Sequence, residues 1–577
     1  MPVRLLHLSF RDFLVDPKKG KEQERYPFWI DERETHGRLA ARCLHLLSTG
    51  DTLRRDICNL RLPGTARSEI GQQTIHDALP PEVQYACRYW VYHWKESNCT
   101  IRDGNLVDRF LTCHLLHWLE ALGLLGRISE SVGMVDDLLR LLDPEESSNV
   151  SAFLRDTRRI ILSHRSIIDI SPLQIYYSSI VFAPEQSVVR KTFRNQFPAW
   201  LSLLPQVDSD WDACLQTLEG HGGNVSSVAF SHDSKLVASA SHDTVKLWDV
   251  ATGACTATFE EHGGNVHSVA FSHDSKLLAS VSAGDAKLWD VATGACTATF
   301  EKHGFSVSAF SHDSKLLAST SDNSFVASAS HDRAVKSDNG TVKLWDVTTG
   351  ACTATLEGHS GSVHSVTFSH DSKLVASASD DRTVKLWDVA TGACTATFEG
   401  HSHWVSSVAF SHDSKLVALA SYDNIVKLWD VATGACTATF EGHSSTVNSV
   451  AFSHDSKLVT SASDTFTSDN GTVQLWDVAT GTCTATFEGH SGPVNSVAFS
   501  HDSKLVASAS YDRAVKSDNG IVKLWDVTTG VCTAILEEHS GRVRSVAFSH
   551  DSKLVTSASA DRTSSSGMLL QAPARQY

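Results

Sequence analysis

No run of about eighteen uncharged apolar residues occurs in this 577-residue chain, so nothing in it reads as a membrane span. The opening Met1-Pro2-Val3-Arg4-Leu5-Leu6-His7 has neither an apolar core nor a small-residue cleavage site, which excludes reading it as a secretory signal. The pattern G-x-x-x-x-G-K-[ST] is absent, and with it the backbone cradle and lysine that a P-loop brings to phosphates. There is no C-x-x-C, no zinc-ligand spacing, no nucleophile–base pair and no paired carboxylate outside periodic turns. The sequence therefore assigns no catalytic residue, no metal site and no cofactor, and it reads as a non-enzyme.

The chain is also short of positive charge in its C-terminal part. Residues 1–210 hold 26 Lys+Arg and 27 Asp+Glu, which leaves 24 basic against 39 acidic residues for 211–577, a net −15 of the total −16. Such a surface repels phosphate backbones, so nucleic acid is excluded as the expected partner. Five of the 13 cysteines (Cys43, Cys58, Cys87, Cys99, Cys113) are scattered. The other eight, Cys214, Cys255, Cys296, Cys352, Cys394, Cys436, Cys483 and Cys532, recur at one place in a repeat. Equivalent places on neighbouring repeats should lie too far apart for a disulfide, and all 13 read as reduced packing residues of a cytoplasmic protein.

What is present is the repeat. S-H-D-S-K occurs eight times, and seven of those copies run on to K/Q-L-W-D-V. A histidine opens each copy at 221, 262, 303, 359, 401, 443, 490 and 539. In the copy from His359 to Gly400, Val363–Phe368 and Leu374–Ser379 alternate and are rich in β-formers. Thr383–Trp387 and Cys394–Phe398 supply two more strands, with Ser369–Lys373, Asp380–Arg382 and Asp388–Gly392 as turns. Four short antiparallel strands make one blade, and a blade hides both faces only when stacked between neighbours in a ring.

These copies resemble the WD-repeat family over roughly 214–562. That resemblance implies a hydrogen-bonded relay in each blade, here His359, Ser377, Asp381 and Trp387. The histidines of the S-H-D turns, such as His370, stand where that family usually has proline. They are expected to serve only as turn residues, kept apart by the blade spacing.

The eighth copy has no W-D, and the strand-like Cys214–Leu218 precedes the first, so that stretch can close the ring with the last blade. The expectation is an N-terminal mostly helical, winged-helix or helical-linker-like region at 1–210. A propeller at 211–562 follows, seven-bladed with eight as the alternative, and then an irregular tail at 563–577. Three copies carry an inserted Ser-Asp-Asn-Gly ending at Gly340, Gly471 and Gly520, where a positive-φ turn in a protruding loop or extra hairpin is expected.

The N-terminal region has core-facing helical spacing from Phe110 to Leu122. Its segments His7–Leu14, Tyr85–Trp90, His117–Leu122 and Pro172–Tyr176, with Trp211 running into the first copy, resemble the fungal NACHT–WD proteins of the vegetative-incompatibility type. Those are STAND, NOD-like switches in which WD repeats sense a ligand. The chain would then begin inside the segment after their NTPase domain. The resemblance implies a sensor half that binds a protein or peptide. The alternatives are the regulatory part of an NTPase switch encoded elsewhere, or a gene remnant.

Comparing the copies isolates what differs. The variable places are the residues leading into the first strand and the turn between the second and third strands. They hold Asn224, His267, Ser362, His364, His403, Trp404, Thr446, Asn448, Pro493, Asn495, Arg542 and Arg544 in the first set, and His242, Arg382, Tyr422, Asn424, Tyr511 and Arg513 in the second. Both sets should reach one rim of the ring. Exposed aromatics beside arginines are residue types that dominate recognition surfaces. His364, His403, Trp404, Tyr422, Asn424, Thr446, Asn448, Asn495, Tyr511, Arg513, Arg542 and Arg544 are the candidate ligand-binding residues.

Overall fold

Helical spacing in the first third and alternation in the rest become two compact units, Met1–Asp212 and Ala213–Tyr577. The computed structural model describes residues 30–201, 203–242, 244–260, 262–282, 285–301, 308–321, 340–464, 471–514, 517–560 and 565–571.

The first unit packs α1 (Glu32–Ser48), α2 (Gln72–Ala78), α3 (Pro81–Ser97), α4 (Leu106–Leu124), α5 (Glu130–Arg140), α6 (Ser148–Ile170) and α7 (Val188–Thr192) around one core. Pro81 starts α3 where its missing N–H costs nothing, and the Asn105 side chain accepts the Asp108 N–H to cap α4. The apolar stripe of α4 meets Trp90 of α3, whose ring lies edge-on to Trp118 at 5.4 Å. Trp118 donates its indole N–H to the Cys87 carbonyl at 2.9 Å.

Glu120 is buried and accepts from the Tyr176 hydroxyl at 2.7 Å and from the N–H groups of Ile57 and Asp56 at 2.9 and 3.1 Å. Burial pushes its carboxyl up to about 7 despite these donors. Asp156 likewise gathers the Ser187 hydroxyl, the Val189 N–H and the Trp211 indole. Among the described residues of this unit, β pairing is limited to a bridge between Ile101 and Leu142. Among the described residues no helix is long and apolar enough to cross a membrane.

The second unit holds eight four-stranded antiparallel sheets among the described residues. Seven blades are built from consecutive strands: 225–259, 266–301, 308–356, 363–398, 405–441, 447–487 and 494–539. The eighth is composite. Val543–Phe548, Leu554–Ser559 and Ser565–Gln571 supply three strands, and Cys214–His221 supplies the fourth, pairing Thr217 with Met568 and Leu218 with Gly567. The ring therefore closes at eight, because 565–571, expected as an irregular tail, forms the third strand that the missing W-D segment left open.

Closure is also visible in a circle of hydrogen bonds between adjacent S-H-D-S-K turns. One backbone N–H from each turn donates to a serine hydroxyl of the next at 2.9–3.3 Å, and Asp551 to Ser234 completes the circle. The turn itself is local chemistry. Asp371 Oδ1 accepts from the Ser369 hydroxyl and the Lys373 N–H, and Ser372 takes φ +60°.

The insertion in blade 7 extends its second and third strands into a long hairpin, Leu505–Ala514 against Ser517–Asp526. Gly520 there does not take positive φ; a Cβ on it would lie 2.1 Å from the Gly541 carbonyl, so glycine serves close approach to the next blade. The inserted residues at 322–339 and 465–470 lie outside the described residues.

The cysteines also differ from expectation. Cys255, Cys352, Cys394, Cys436 and Cys483 are exposed thiols on the outermost strands rather than packing residues. Their fourth-strand places face outward, where the wedge-shaped blades have diverged.

Candidate functional site

Within blade 4, His359 Nδ1 lies 2.8 Å from Asp381, His359 Nε2 lies 2.8 Å from the Ser377 hydroxyl, and the Trp387 indole donates to the same hydroxyl at 2.8 Å. One donor order satisfies all four groups: indole to serine oxygen, serine O–H to Nε2, and Nδ1–H to carboxylate. Burial works against the Asp381 charge, but the hydrogen bonds from His359 and Thr383 outweigh it and hold the carboxyl low. Blade 5 breaks the chain. Leu419 stands at the serine place, and among the described residues His401 Nε2 and Trp429 Nε1 are buried without a partner. These relays tie the first, second and third strands of a blade together and are scaffold.

The variable places converge where the scaffold ends. In blades 4 to 8 the residue after the sixth position of the second strand (inside the extended strand in blade 7) donates its backbone N–H to the carbonyl of the residue before the first strand. The pairs are Asp380–Ser362, Tyr422–Trp404, Asp464–Thr446, Tyr511–Pro493 and Ala560–Arg542, at 2.8–3.1 Å. This pairing puts both variable sets at one mouth of the ring. A cavity of about 450 Å³ opens there, lined by His364, Trp404, Ser406, Tyr422, Asn448, Asp464, Asn495, Arg542 and Arg544. Seven of these are among the twelve candidates; Ser406 and Asp464 were not.

Trp404 is 46 % exposed. It forms an aromatic cluster with His403, 5.2 Å away, and Tyr422, 6.0 Å away. Burial first, then the charges of Asp464 and Asp380, pushes the Tyr422 hydroxyl up. His364 pairs through Nε2 with Asp380. Asn448 and Asn495 spend their amide N–H on the next blade, donating to the carbonyls of Val494 and Val543.

The remaining candidates lie off the cavity lining. His403 is exposed and rests against Trp404 and Tyr422. Asn424 holds a turn at φ +70°, and Thr446 is half-buried. Tyr511 is half-buried, and the side chain of Arg513 lies outside the described residues. Ser406 could have been found from sequence, since it occupies the same place as His364, Asn448 and Arg544; its identity with Ser226 hid it.

The opposite ends of the inner strands carry a feature that corrects the sequence reading. The histidines of the S-H-D turns are not kept apart by the blade spacing. His232, His273, His312, His370, His412, His454, His501 and His550 form a closed circle, with every neighbouring pair of ring centroids 4.0–4.1 Å apart and tilted by 38–42°. The tilt is close to one eighth of a turn. Blades are wedges, so equivalent residues nearest the axis touch although those at the rim do not. Each Nδ1 of the circle is buried without a hydrogen-bond partner among the described residues. Burial, and for most of them the neighbouring imidazoles, pushes these rings down, to about 4 for His232, His370 and His454 and about 3 for His312 and His501. Among the described residues, no three His, Cys, Asp or Glu groups converge as a metal site.

Comparison with known proteins adds three findings. The family model described as WD domain, G-beta repeat matches residues 212–249, 253–290, 294–346, 350–388, 392–430, 434–477, 481–526 and 530–564. The vegetative incompatibility protein HET-E-1 of Podospora anserina is 42 % identical over 270 residues, 44 % of this chain. The chain spans only 19 % of the length of that relative. The crystal structure of the computationally designed Ika8 protein superposes with a TM-score of 0.51 at 27 % identity, over 62 % of this chain and 98 % of that one.

Proposed function

Because this chain belongs to the WD domain, G-beta repeat family, we propose that its propeller is a non-catalytic recognition module binding a protein or peptide at the cavity mouth. The observation that carries this is the contrast between a scaffold repeated almost unchanged through the copies and a mouth whose residues change from blade to blade. Selection for packing alone gives no reason for Trp404 to stand exposed beside Tyr422 and two arginines. The similarity to a vegetative incompatibility protein supports placing the module as the sensor half of a STAND-type switch, acting in the cytoplasm. The test compares crosslinked partners of the wild-type chain with those of Trp404→Ala. A partner lost from the variant at unchanged melting temperature supports the reading; a partner retained at full yield refutes it.

A further inference from the structure

The cavity lining is uneven in charge: Arg542 and Arg544 stand on blade 8 and Asp464 on blade 6. Arg542 and Arg544 flank Val543, so both leave blade 8 at the entry of its first strand. Arg542 donates from Nε to Asn495 Oδ1 at 3.1 Å, a neutral acceptor. Among the described residues neither guanidinium has a carboxylate within ion-pairing distance, whereas the lysines of the S-H-D-S-K turns each face their own aspartate at 3.1–3.5 Å. Desolvation first, and Arg542 second, disfavours the charge on Arg544. Two like charges side by side, in a unit that is otherwise strongly acidic, are stabilised by an anion placed between them. The other side of the cavity offers an apolar surface, the exposed face of Trp404 beside Tyr422.

We propose that the bound segment presents a carboxylate to Arg542 and Arg544 and lays an apolar or aromatic side chain on Trp404. This rests on the reading that the mouth binds a peptide and adds the ligand's chemistry. A guanidinium matches a carboxylate with two parallel hydrogen bonds, and the like-charge repulsion that the free site carries is cancelled on binding. Of the other polar lining, Asn448, Asn495 and Ser406 are committed to neighbouring carbonyls, His364 pairs with Asp380, and Asp464 is itself an anion, so the arginine pair supplies the orienting contact for a carboxylate.

The test selects random linear peptides displayed on phage against the intact chain, in parallel with Trp404→Ala and with the double variant Arg542→Ser/Arg544→Ser. Serine already stands at the Arg544 place in blades 1 and 5, where Ser406 Oγ donates to the Val447 carbonyl at 2.6 Å, so the ring accommodates it. The expected result is enrichment of acidic residues near an aromatic or apolar one. Affinity should fall at least about tenfold in the double variant and weaken with added salt. Peptides that need Trp404 but carry no acidic preference overturn the carboxylate proposal and leave the mouth reading standing. A selection with no Trp404-dependent peptide overturns the mouth reading itself. Selected peptides remade with phosphoserine in place of the acidic residue form a second arm; binding tighter by more than about tenfold assigns the pair to phosphate and refutes the carboxylate.

Discussion

The circle of imidazoles makes the propeller acid-labile in a defined pH window. In the unfolded chain each histidine takes a proton near pH 6.5. In the folded ring the same groups stay neutral until about pH 4 for His232, His370 and His454, and about 3 for His312 and His501. The folded pKa is depressed, so the stability these groups contribute is complete above pH 6.5 and is lost as pH falls through 4. A drop from 6.5 to about 4 or 3 corresponds to about 3–5 kcal/mol per group, and partial solvent access reduces that to about 1 kcal/mol each. These five groups sum to about 5 kcal/mol, at the scale of a whole domain's stability, and His273, His412 and His550 are lowered in the same direction.

Urea titrations at pH 7.5, 6.5, 5.5 and 4.5, followed by near-ultraviolet circular dichroism, read the propeller transition. Its midpoint should fall steeply between pH 6.5 and 4.5, with net proton uptake on unfolding. The turn aspartates cannot mimic this, because their carboxyls are held below the ordinary range and lose their contribution only at lower pH. A midpoint unchanged from pH 7.5 to 5, or resonances assigned to the imidazoles of the circle titrating near 6.5 in the folded protein, would refute the reasoning.

Ser377→Ala removes the one acceptor and donor shared by His359 and Trp387 and should destabilise by about 2–4 kcal/mol in chemical denaturation. A loss under about 1 kcal/mol means the relay is not load-sharing. Gly520→Ala forces a Cβ to within 2.1 Å of the Gly541 carbonyl. It should cost about 2 kcal/mol or more, read as a lowered melting temperature. Trp404→Ala, at a half-exposed place, should change stability by about 0.5 kcal/mol or less while removing ligand capture. Glu120→Gln tests the helical unit. The Glu120 carboxyl is raised to about 7, so its contribution is complete below pH 4.5 and lost as pH rises through 7. The variant should flatten the pH dependence of that unit's unfolding over this range.

Much of the fold was legible because a blade is local. Alternation in Val363–Phe368, the Asp371-centred turn and the return through Thr383–Trp387 all lie within about forty residues, and side-chain period and turn chemistry decide such pairings. The two variable sets could be placed at one mouth for the same reason, since hairpin geometry joins Trp404 to Tyr422 and Arg542 to Ala560. Ser406 and Asp464 share repeat places with the candidates His364 and Tyr422, but which of those places line the cavity depends on blade order and tilt, since it gathers residues from five blades.

The sequence by itself determined the blade: its strands, its turns, its buried tryptophan and the place of each variable residue along the repeat, because nearest-neighbour chemistry suffices for all of these. Only the tertiary structure decided that eight sheets close the ring, through Cys214–His221 meeting Ser565–Gln571 across more than three hundred residues of chain. It also decided that eight turn histidines stack into one circle. Both follow from the convergence of wedge-shaped blades on a common axis, a distance that no repeat period records.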